Sequence, residues 1–230
     1  MRNKVVRCVI FDLDSTLLDT ESLFIEGYRR AFKNHELAIE VLEIQKWSGL
    51  SPERTLDKID SYTKHRYLSE IIRMECLRYF EENFEGDFKH NVLRLRPYAR
   101  DILNFCKDNQ LKIGLITSFS SELGVKILNY FEILEDFNFI IFAEHVKNPK
   151  PAPDIYNSAI RHSNLSKESC IAVEYTQSGV ESALAAKVKV VQLIDIFNEV
   201  MNVHTSAMQH LTNLEQLKLT LMELNSAVKI

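Results

Sequence analysis

Runs of apolar residues that end abruptly in polar ones recur along the chain. They are rich in β-branched or aromatic residues and cover 5–11, 111–116, 139–142, 170–173 and 188–194. A continuous run of this kind is typical of a strand buried on both faces of a parallel sheet. In other segments the apolar residues recur at a spacing that places them on one face of a helix, namely in 98–109, 123–131 and 154–162. Strands that alternate with helices predict an α/β fold with a doubly wound, Rossmann-like parallel sheet.

Residues 21–93 break this alternation, because their pattern is helical and contains no convincing strand. Within them, the segment from Ser51 to Glu53 fits the start of a helix, with an N-cap, a proline in the first turn and an early acid. We therefore expect a helical cap domain at 21–93, inserted into an α/β core formed by 1–20 and 94–230. The pattern of 198–230 predicts a short strand and a final helix.

Composition narrows the class of protein. A chain of 230 residues is long enough for one large domain or for a core that carries an insertion. A hydrophobic share of 46% and a charged share of 26% are ordinary for globular proteins, which excludes the disordered, fibrous and membrane classes. The net charge of -4 argues against an extended surface for nucleic acid. An anionic substrate would need a local cluster of positive groups.

The first residues lead directly into the first predicted strand, and acidic residues follow it closely, so we expect no signal peptide. No apolar stretch approaches the roughly 18 residues that a membrane-spanning helix needs. We therefore expect a cytoplasmic protein without a membrane partner. We also expect a monomer; the alternative is a dimer whose interface is formed by the leucines of 211–224. The cysteines show no ligand spacing and are expected to be reduced core thiols: Cys8, Cys76, Cys106 and Cys170.

Two carboxylates, Asp12 and Asp14, follow the first predicted strand immediately. The carboxyl ends of parallel strands are where open α/β sheets bind ligands. Carboxylates two residues apart in an extended segment share a face and repel each other unless a cation lies between them. A hard divalent ion such as Mg²⁺ would resolve this repulsion. The alternative is that Asp14 caps a turn and Asp12 is solvated.

Other predicted strand ends carry groups that suit a phosphate. Thr117 and Ser118 follow the second strand, and their hydroxyl and amide groups can bind phosphate oxygens. Lys150 lies in a segment stiffened by three prolines, which is an unusual setting for a solvated lysine. Glu174 adds a carboxylate at a third strand end. The sequence therefore predicts a phosphate site at this edge of the sheet.

Three segments in this order resemble the motifs of the haloacid dehalogenase superfamily: 11–20 (FDLDSTLLDT), 115–118 (LITS) and 150–156 (KPAPDIY). The branch that they resemble carries a helical cap after the first motif and includes phosphoglycolate phosphatase-like and β-phosphoglucomutase-like enzymes. Ser15 stands where the first motif usually has glycine. The resemblance covers nearly the whole chain.

The resemblance implies a Mg²⁺-dependent phosphatase that acts on a small phosphorylated metabolite. Asp12 would attack the phosphoryl group to form an aspartyl-phosphate, and Asp14 would act as general acid and then as general base. The Asp12 carboxylate and the Asp14 carbonyl would hold Mg²⁺. Thr117, the Ser118 amide and Lys150 would bind the phosphoryl oxygens.

The fourth motif departs from the family, because 174–179 reads EYTQSG and places Tyr175 where a metal-binding aspartate is usual. A neutral phenol is a poor ligand for Mg²⁺, so Glu174 remains the candidate metal ligand at this strand end. Two hypotheses follow. Either Glu174 replaces the missing ligand in a working enzyme, or the chain is a non-catalytic phosphometabolite-binding protein on a degenerate phosphatase scaffold. A phosphosugar mutase is disfavoured, because Pro52 stands where mutases carry a substrate-gripping arginine.

Overall fold

The computed structural model of the chain describes residues 5–47, 52–85, 93–194 and 203–226. The chain divides into two compact units, one of Met1–Leu18 with Leu95–Ile230 and the other of Asp19–Arg94. The predicted limits of the helical insertion, 21 and 93, lie just inside those of the second unit. Each unit has a hydrophobic core of its own.

The first unit is built on a six-stranded sheet in which all paired strands are parallel. Its strands are β1 (Cys8–Asp12), β2 (Lys112–Ile116), β3 (Phe139–Ile141), β4 (Cys170–Glu174), β5 (Lys189–Leu193) and β6 (Gln209–Leu211). Their order across the sheet is β3-β2-β1-β4-β5-β6, so β1 lies between β2 and β4. Each apolar run predicted to be a strand forms one, which confirms the predicted α/β fold with a Rossmann-like parallel sheet.

The second unit contains no strand among its described residues. Its helices are α1 (Glu21–Asn34), α2 (Val41–Gln45), α3 (Pro52–Thr63) and α4 (Arg66–Glu85). Its core joins Phe32 of α1 and Ile72 of α4 to Trp47, whose ring meets that of Tyr28 edge-on at 5.4 Å. Helix α3 begins at Pro52, while the predicted N-cap, Ser51, lies outside the described residues.

The remaining helices belong to the first unit: α5 (Ala99–Asp108), α6 (Ser121–Tyr130), α7 (Asp154–Ser163), α8 (Gln177–Ala185) and α9 (Glu215–Ser226). Those predicted at 98–109, 123–131 and 154–162 are confirmed as α5, α6 and α7. One core cluster joins apolar residues of α7 and α8 to those of β1 and β4. Of the leucines at 211–224, Leu211 belongs to β6, whereas Leu219 lies in α9 and is 63% exposed.

All four cysteines are buried and free, as predicted. Among the described residues, no helix is both long enough and apolar enough to cross a membrane.

The backbone on either side of the second unit is paired within the first. Leu18 and Leu95 form an antiparallel bridge, and the Arg96 amide donates to the Leu17 carbonyl at 2.8 Å. Arg96 is therefore held beside the turn that follows Asp12.

Candidate active site

Asp12 is the last residue of β1, and its neighbours in the sheet are the ends of β2 and β4. Only 3% of its surface is exposed. The Thr16 hydroxyl donates to Asp12 Oδ2 at 3.2 Å from the turn that follows the strand. One carboxylate oxygen is thus held by the turn that follows the strand.

The turn after β1 is tight. The Leu13 carbonyl accepts from the amides of Leu17 and Leu18, each at 3.1 Å. Asp14 is half-buried within this turn. Ser15 adopts a φ of 56°, in the left-handed region that glycine enters most easily. This conformation gives a physical reason for glycine at the position, and here serine occupies it.

Lys150 links two of the predicted site residues. Its ammonium Nζ lies 2.7 Å from Asp12 Oδ1 and 2.7 Å from Glu174 Oε1. Burial alone would lower the pKa of Lys150, but the negative charges of Asp12 and Glu174 outweigh burial and raise it. The ammonium therefore stays charged between the two carboxylates.

The loop that carries Lys150 is held in place from both sides. Ala152 donates its amide to the Pro149 carbonyl at 3.0 Å, and the Ser182 hydroxyl of α8 donates to the Ala152 carbonyl at 2.6 Å. Asn148 donates its side-chain amide to Asp154 at 2.9 Å, which joins the loop to the start of α7.

Glu174 is fully buried at the end of β4. Its Oε1 accepts from both Lys150 and the Tyr156 hydroxyl, each at 2.7 Å. Burial raises the pKa of the Glu174 carboxyl to about 7, although the attraction of Lys150 opposes this shift. Burial and the charge of Glu174 raise the pKa of Tyr156 well above its ordinary value, so this phenol keeps its proton and donates.

The second oxygen of Glu174 has a different setting. Among the described residues, Oε2 is buried without a hydrogen-bond partner. It lies against the backbone of Gly179, where a Cβ would come within 2.0 Å of it.

Thr117 and Ser118 differ in their surroundings. Thr117 is fully buried, and its hydroxyl oxygen accepts from the Phe119 amide at 3.1 Å. That contact leaves the hydroxyl proton available for donation. Ser118 is exposed at the start of the loop before α6.

Tyr175 is turned into the protein, where its ring is 2% exposed. The Arg96 guanidinium lies over this ring, 4.8 Å from its centroid. The Gln192 side chain donates to the Tyr175 carbonyl at 3.0 Å and fixes the backbone there. An aromatic ring with a cation stacked on it therefore occupies the position at which the resemblance calls for a carboxylate.

The donor set fits a magnesium ion held by few protein ligands. Among the described residues, no three His, Cys, Asp or Glu side chains form a cluster that could hold a metal alone. Magnesium is usually bound through one or two carboxylates together with water and substrate phosphate. Asp12 supplies one carboxylate, and Glu174 supplies another with its buried Oε2 unpaired. The Lys150 ammonium pairs with both of these carboxylates.

Comparison with known proteins decides the family. The profile of the haloacid dehalogenase-like hydrolases matches residues 9–193, which include all of these strand ends. The chain belongs to the haloacid dehalogenase-like hydrolase family. This membership confirms the resemblance found in the sequence.

Several known proteins align along most of the chain. A phosphorylated carbohydrates phosphatase from Thermotoga maritima is 27% identical over 194 residues, covering 80% of this chain and 83% of that protein. The β-phosphoglucomutase of Bacillus subtilis is 25% identical over 186 residues, covering 79% and 80% respectively. The names of such relatives support the prediction of a phosphoric monoester hydrolase.

Solved structures of the family share the fold. A hydrolase of family IA, variant 3, from Entamoeba histolytica superposes with a TM-score of 0.71 at 19% identity, covering 98% of this chain and all of that one (100%). CbbY from Rhodobacter sphaeroides superposes with a TM-score of 0.65 at 20% identity, covering 93% and 96%.

The structure brings together three of the residues singled out in the sequence, namely Asp12, Lys150 and Glu174. It adds contacts that sequence reasoning missed, from Thr16, Tyr156, Gly179 and Arg96. Thr16 and Tyr156 lie inside the motifs at 11–20 and 150–156, so the sequence already marked them as candidate site residues. Nothing in the sequence pairs Arg96 with Tyr175.

Proposed function

We propose that the chain is a Mg²⁺-dependent phosphatase of a small phosphorylated metabolite that acts through an aspartyl-phosphate on Asp12. One observation carries the proposal: the Lys150 ammonium is hydrogen-bonded to Asp12 and Glu174, each at 2.7 Å, at the carboxyl edge of the sheet. A buried carboxylate that is hydrogen-bonded to a lysine ammonium suits a nucleophile. Ligands of open α/β sheets bind at this edge.

In the first step, a carboxylate oxygen of Asp12 attacks phosphorus while the bond from phosphorus to the leaving oxygen breaks. Lys150 and Thr16 orient the carboxylate, because each is hydrogen-bonded to one of its oxygens. Asp14 donates a proton to the leaving oxygen, and the alcohol departs.

In the second step, Asp14 takes a proton from a water molecule, which attacks the phosphorus of the aspartyl-phosphate. The bond from phosphorus to Asp12 breaks, and inorganic phosphate and the free carboxylate result. Splitting one displacement into two steps in this way lowers the barrier of each.

Three groups would hold the phosphoryl oxygens in both steps. The Thr117 hydroxyl has a proton to donate, since its oxygen already accepts from the Phe119 amide. The Ser118 amide and Lys150 add a neutral donor and a charged one. The Asp12 carboxylate, the Asp14 carbonyl and Glu174 would hold Mg²⁺. When bound, Mg²⁺ supplies positive charge that offsets the repulsion between carboxylate and phosphate.

Hydrolysis of an aryl phosphate with and without Mg²⁺ tests the proposal. We expect Mg²⁺-dependent turnover that falls at least about a thousandfold in Asp12→Asn. Asp101→Asn is the matched control, because Asp101 lies exposed on α5 and loses the same charge. Equal rates for the wild-type protein and Asp12→Asn would contradict the proposal.

The substrate class follows from a panel of phosphorylated metabolites. Sugar phosphates come first, because a curated relative is a phosphorylated carbohydrates phosphatase. We propose that the helical residues 21–93 act as the cap that selects among them.

A second candidate function is a non-catalytic phosphometabolite-binding protein, which the buried Tyr175 favours. Tyr175→Asp separates the two functions. An inert parent that gains strong Mg²⁺-dependent hydrolysis favours the binding protein, whereas an active parent favours the enzyme.

A further inference from the structure

We infer that Glu144 is a positioning residue of the phosphate site, because it fixes the loop that carries Thr117 and Ser118. The inference rests on the proposed function, which assigns the Thr117 hydroxyl and the Ser118 amide to the phosphoryl oxygens. It deepens that function by naming a residue that lies outside the four motif segments and acts through the loop rather than on the substrate.

Glu144 lies just after β3, in the short turn Ala143–His145. Its Oε1 accepts from the amide of Ser121, the first residue of α6, at 2.7 Å. Hydrogen bonds from the Ser121 side chain and from the backbone lower the pKa of the Glu144 carboxyl. A carboxylate at a helix N-terminus satisfies an amide that the helix itself cannot pair, and it interacts favourably with the helix dipole. Glu144 therefore holds the start of α6 from the end of the neighbouring strand.

The loop between β2 and α6 is also tied to this strand end through its backbone. The Thr117 amide donates to the Ile141 carbonyl at 3.0 Å, and the Ala143 amide donates to the Phe119 carbonyl at 3.1 Å. Contacts with the end of β3 thus hold the loop on both sides of Ser118.

The first turn of α6 has supports of its own. The Ser120 hydroxyl caps the helix by accepting from the Leu123 amide at 3.3 Å. A Cβ on Gly124 would lie 2.5 Å from the Phe142 ring, so this ring packs directly against the helix backbone. Loss of the Glu144 contact should therefore loosen the loop without unfolding α6.

The position of the loop makes its rigidity relevant to the chemistry. Asp12 pairs with Ile116 in the sheet, so Thr117 follows directly at the level of the proposed nucleophile. Donors that are already in place when the substrate arrives need not be reorganised during the reaction. A looser loop would lose conformational freedom when phosphate binds, and this loss weakens binding.

The charge of Glu144 separates positioning from a simple electrostatic effect. A carboxylate near a phosphate site repels the anion, so the removal of its charge strengthens phosphate binding if charge alone matters. If Glu144 positions the loop, its removal weakens phosphate binding instead. Glu122 is the matched control, because it is exposed in the first turn of the same helix and carries the same charge.

Titration calorimetry of the full chain with inorganic phosphate, in the presence of Mg²⁺, tests the inference. Glu144→Ala should weaken phosphate binding at least about threefold, which is the loss expected for one hydrogen bond. Glu144→Gln should fall between Glu144→Ala and the wild-type protein, because its amide oxygen can still accept from Ser121 but carries no charge. Glu122→Ala should bind phosphate as tightly as the wild-type protein or more tightly.

Hydrogen exchange measured by mass spectrometry gives a local readout that needs no ligand. Peptides from 117–124 should exchange faster in Glu144→Ala than in the wild-type protein, whereas peptides from α7 should exchange at the same rate in both. A general loss of stability would speed exchange in both regions. If circular dichroism shows that Glu144→Ala is unfolded, Glu144→Gln serves for both measurements.

The inference is overturned if Glu144→Ala binds phosphate as tightly as the wild-type protein, if Glu122→Ala weakens binding equally, or if the wild-type protein binds no phosphate. The proposed function is judged separately by turnover. Hydrolysis that needs Asp12, together with a phosphate affinity that does not depend on Glu144, overturns the inference alone. Phosphate binding that depends on Glu144, without any hydrolysis, overturns the proposed function alone.

Discussion

The Glu174 carboxylate fills the space that a side chain at residue 179 would need. A Cβ on Gly179 would lie 2.0 Å from Glu174 Oε2. The carboxylate cannot easily move aside, because its other oxygen is held by Lys150 and Tyr156. The first turn of α8 therefore requires glycine for reasons of space rather than of backbone angle.

Gly179→Ala should accordingly destabilise the protein and disturb the site together. Overpacking a rigid interior costs about 1–3 kcal/mol of unfolding free energy, and we expect the upper half of this range. Urea denaturation measures it. Ser178→Ala in the same turn is the control, since it loses only a 3.3 Å contact with Thr176. An alanine variant as stable as the control would contradict the packing argument.

Tyr156→Phe should cost about 1–2 kcal/mol of unfolding free energy, because it removes a hydrogen bond to a buried charged acceptor. The donor lies 2.7 Å from Glu174 Oε1. Tyr67→Phe, at an exposed position of α4, should leave stability unchanged. Chemical unfolding of both variants makes the comparison, and equal midpoints would show that the Tyr156 hydroxyl contributes nothing.

Lys150→Met should be the most destabilising of these changes. It leaves the buried carboxylates of Asp12 and Glu174 without their shared cation, which costs about 3–5 kcal/mol. Added Mg²⁺ should restore part of the loss, because it binds the folded protein. Thermal melts with and without Mg²⁺ measure both effects. Lys147→Met, at an exposed position in the same connection, is the control.

Ser15→Gly should stabilise the protein, because the φ of 56° suits glycine better than serine. Relief of about 1–2 kcal/mol in the left-handed region exceeds the extra entropy of glycine, about 0.5–1 kcal/mol. We expect a gain of about 0.5–1 kcal/mol, which is a rise of about 1–4 °C in Tm for a chain of this size. Ser118→Gly should give no such gain, and a Ser15→Gly protein that melts lower than wild type would refute the strain argument.

Most of the fold could be predicted from the sequence because its signals are local. A strand buried on both faces, such as β1, reads as a continuous apolar run, and a helix such as α5 shows its period within three turns. The leucines of 211–224 do not form one buried helical face, because Leu211 lies in β6 and Leu219 of α9 is 63% exposed.

For the site, the sequence predicted only which strand ends carry carboxylates, hydroxyl groups or a lysine. Asp12 and Lys150 lie 138 positions apart in sequence and yet share a 2.7 Å contact. No periodicity connects such residues, and only their places near predicted strand ends and in the motifs suggested that they meet.

By itself, the sequence determined the alternation of strands and helices, the family and the acids that end β1 and β4. Only the tertiary structure decided how the charges are shared. In the folded chain, Lys150 pairs with two carboxylates and Glu174 packs against Gly179. The Arg96 guanidinium lies over the ring of Tyr175. The reason is physical. Apolar periodicity is a property of residues that are close in sequence, whereas the partner of a buried charge lies on a chain segment that it meets only on folding.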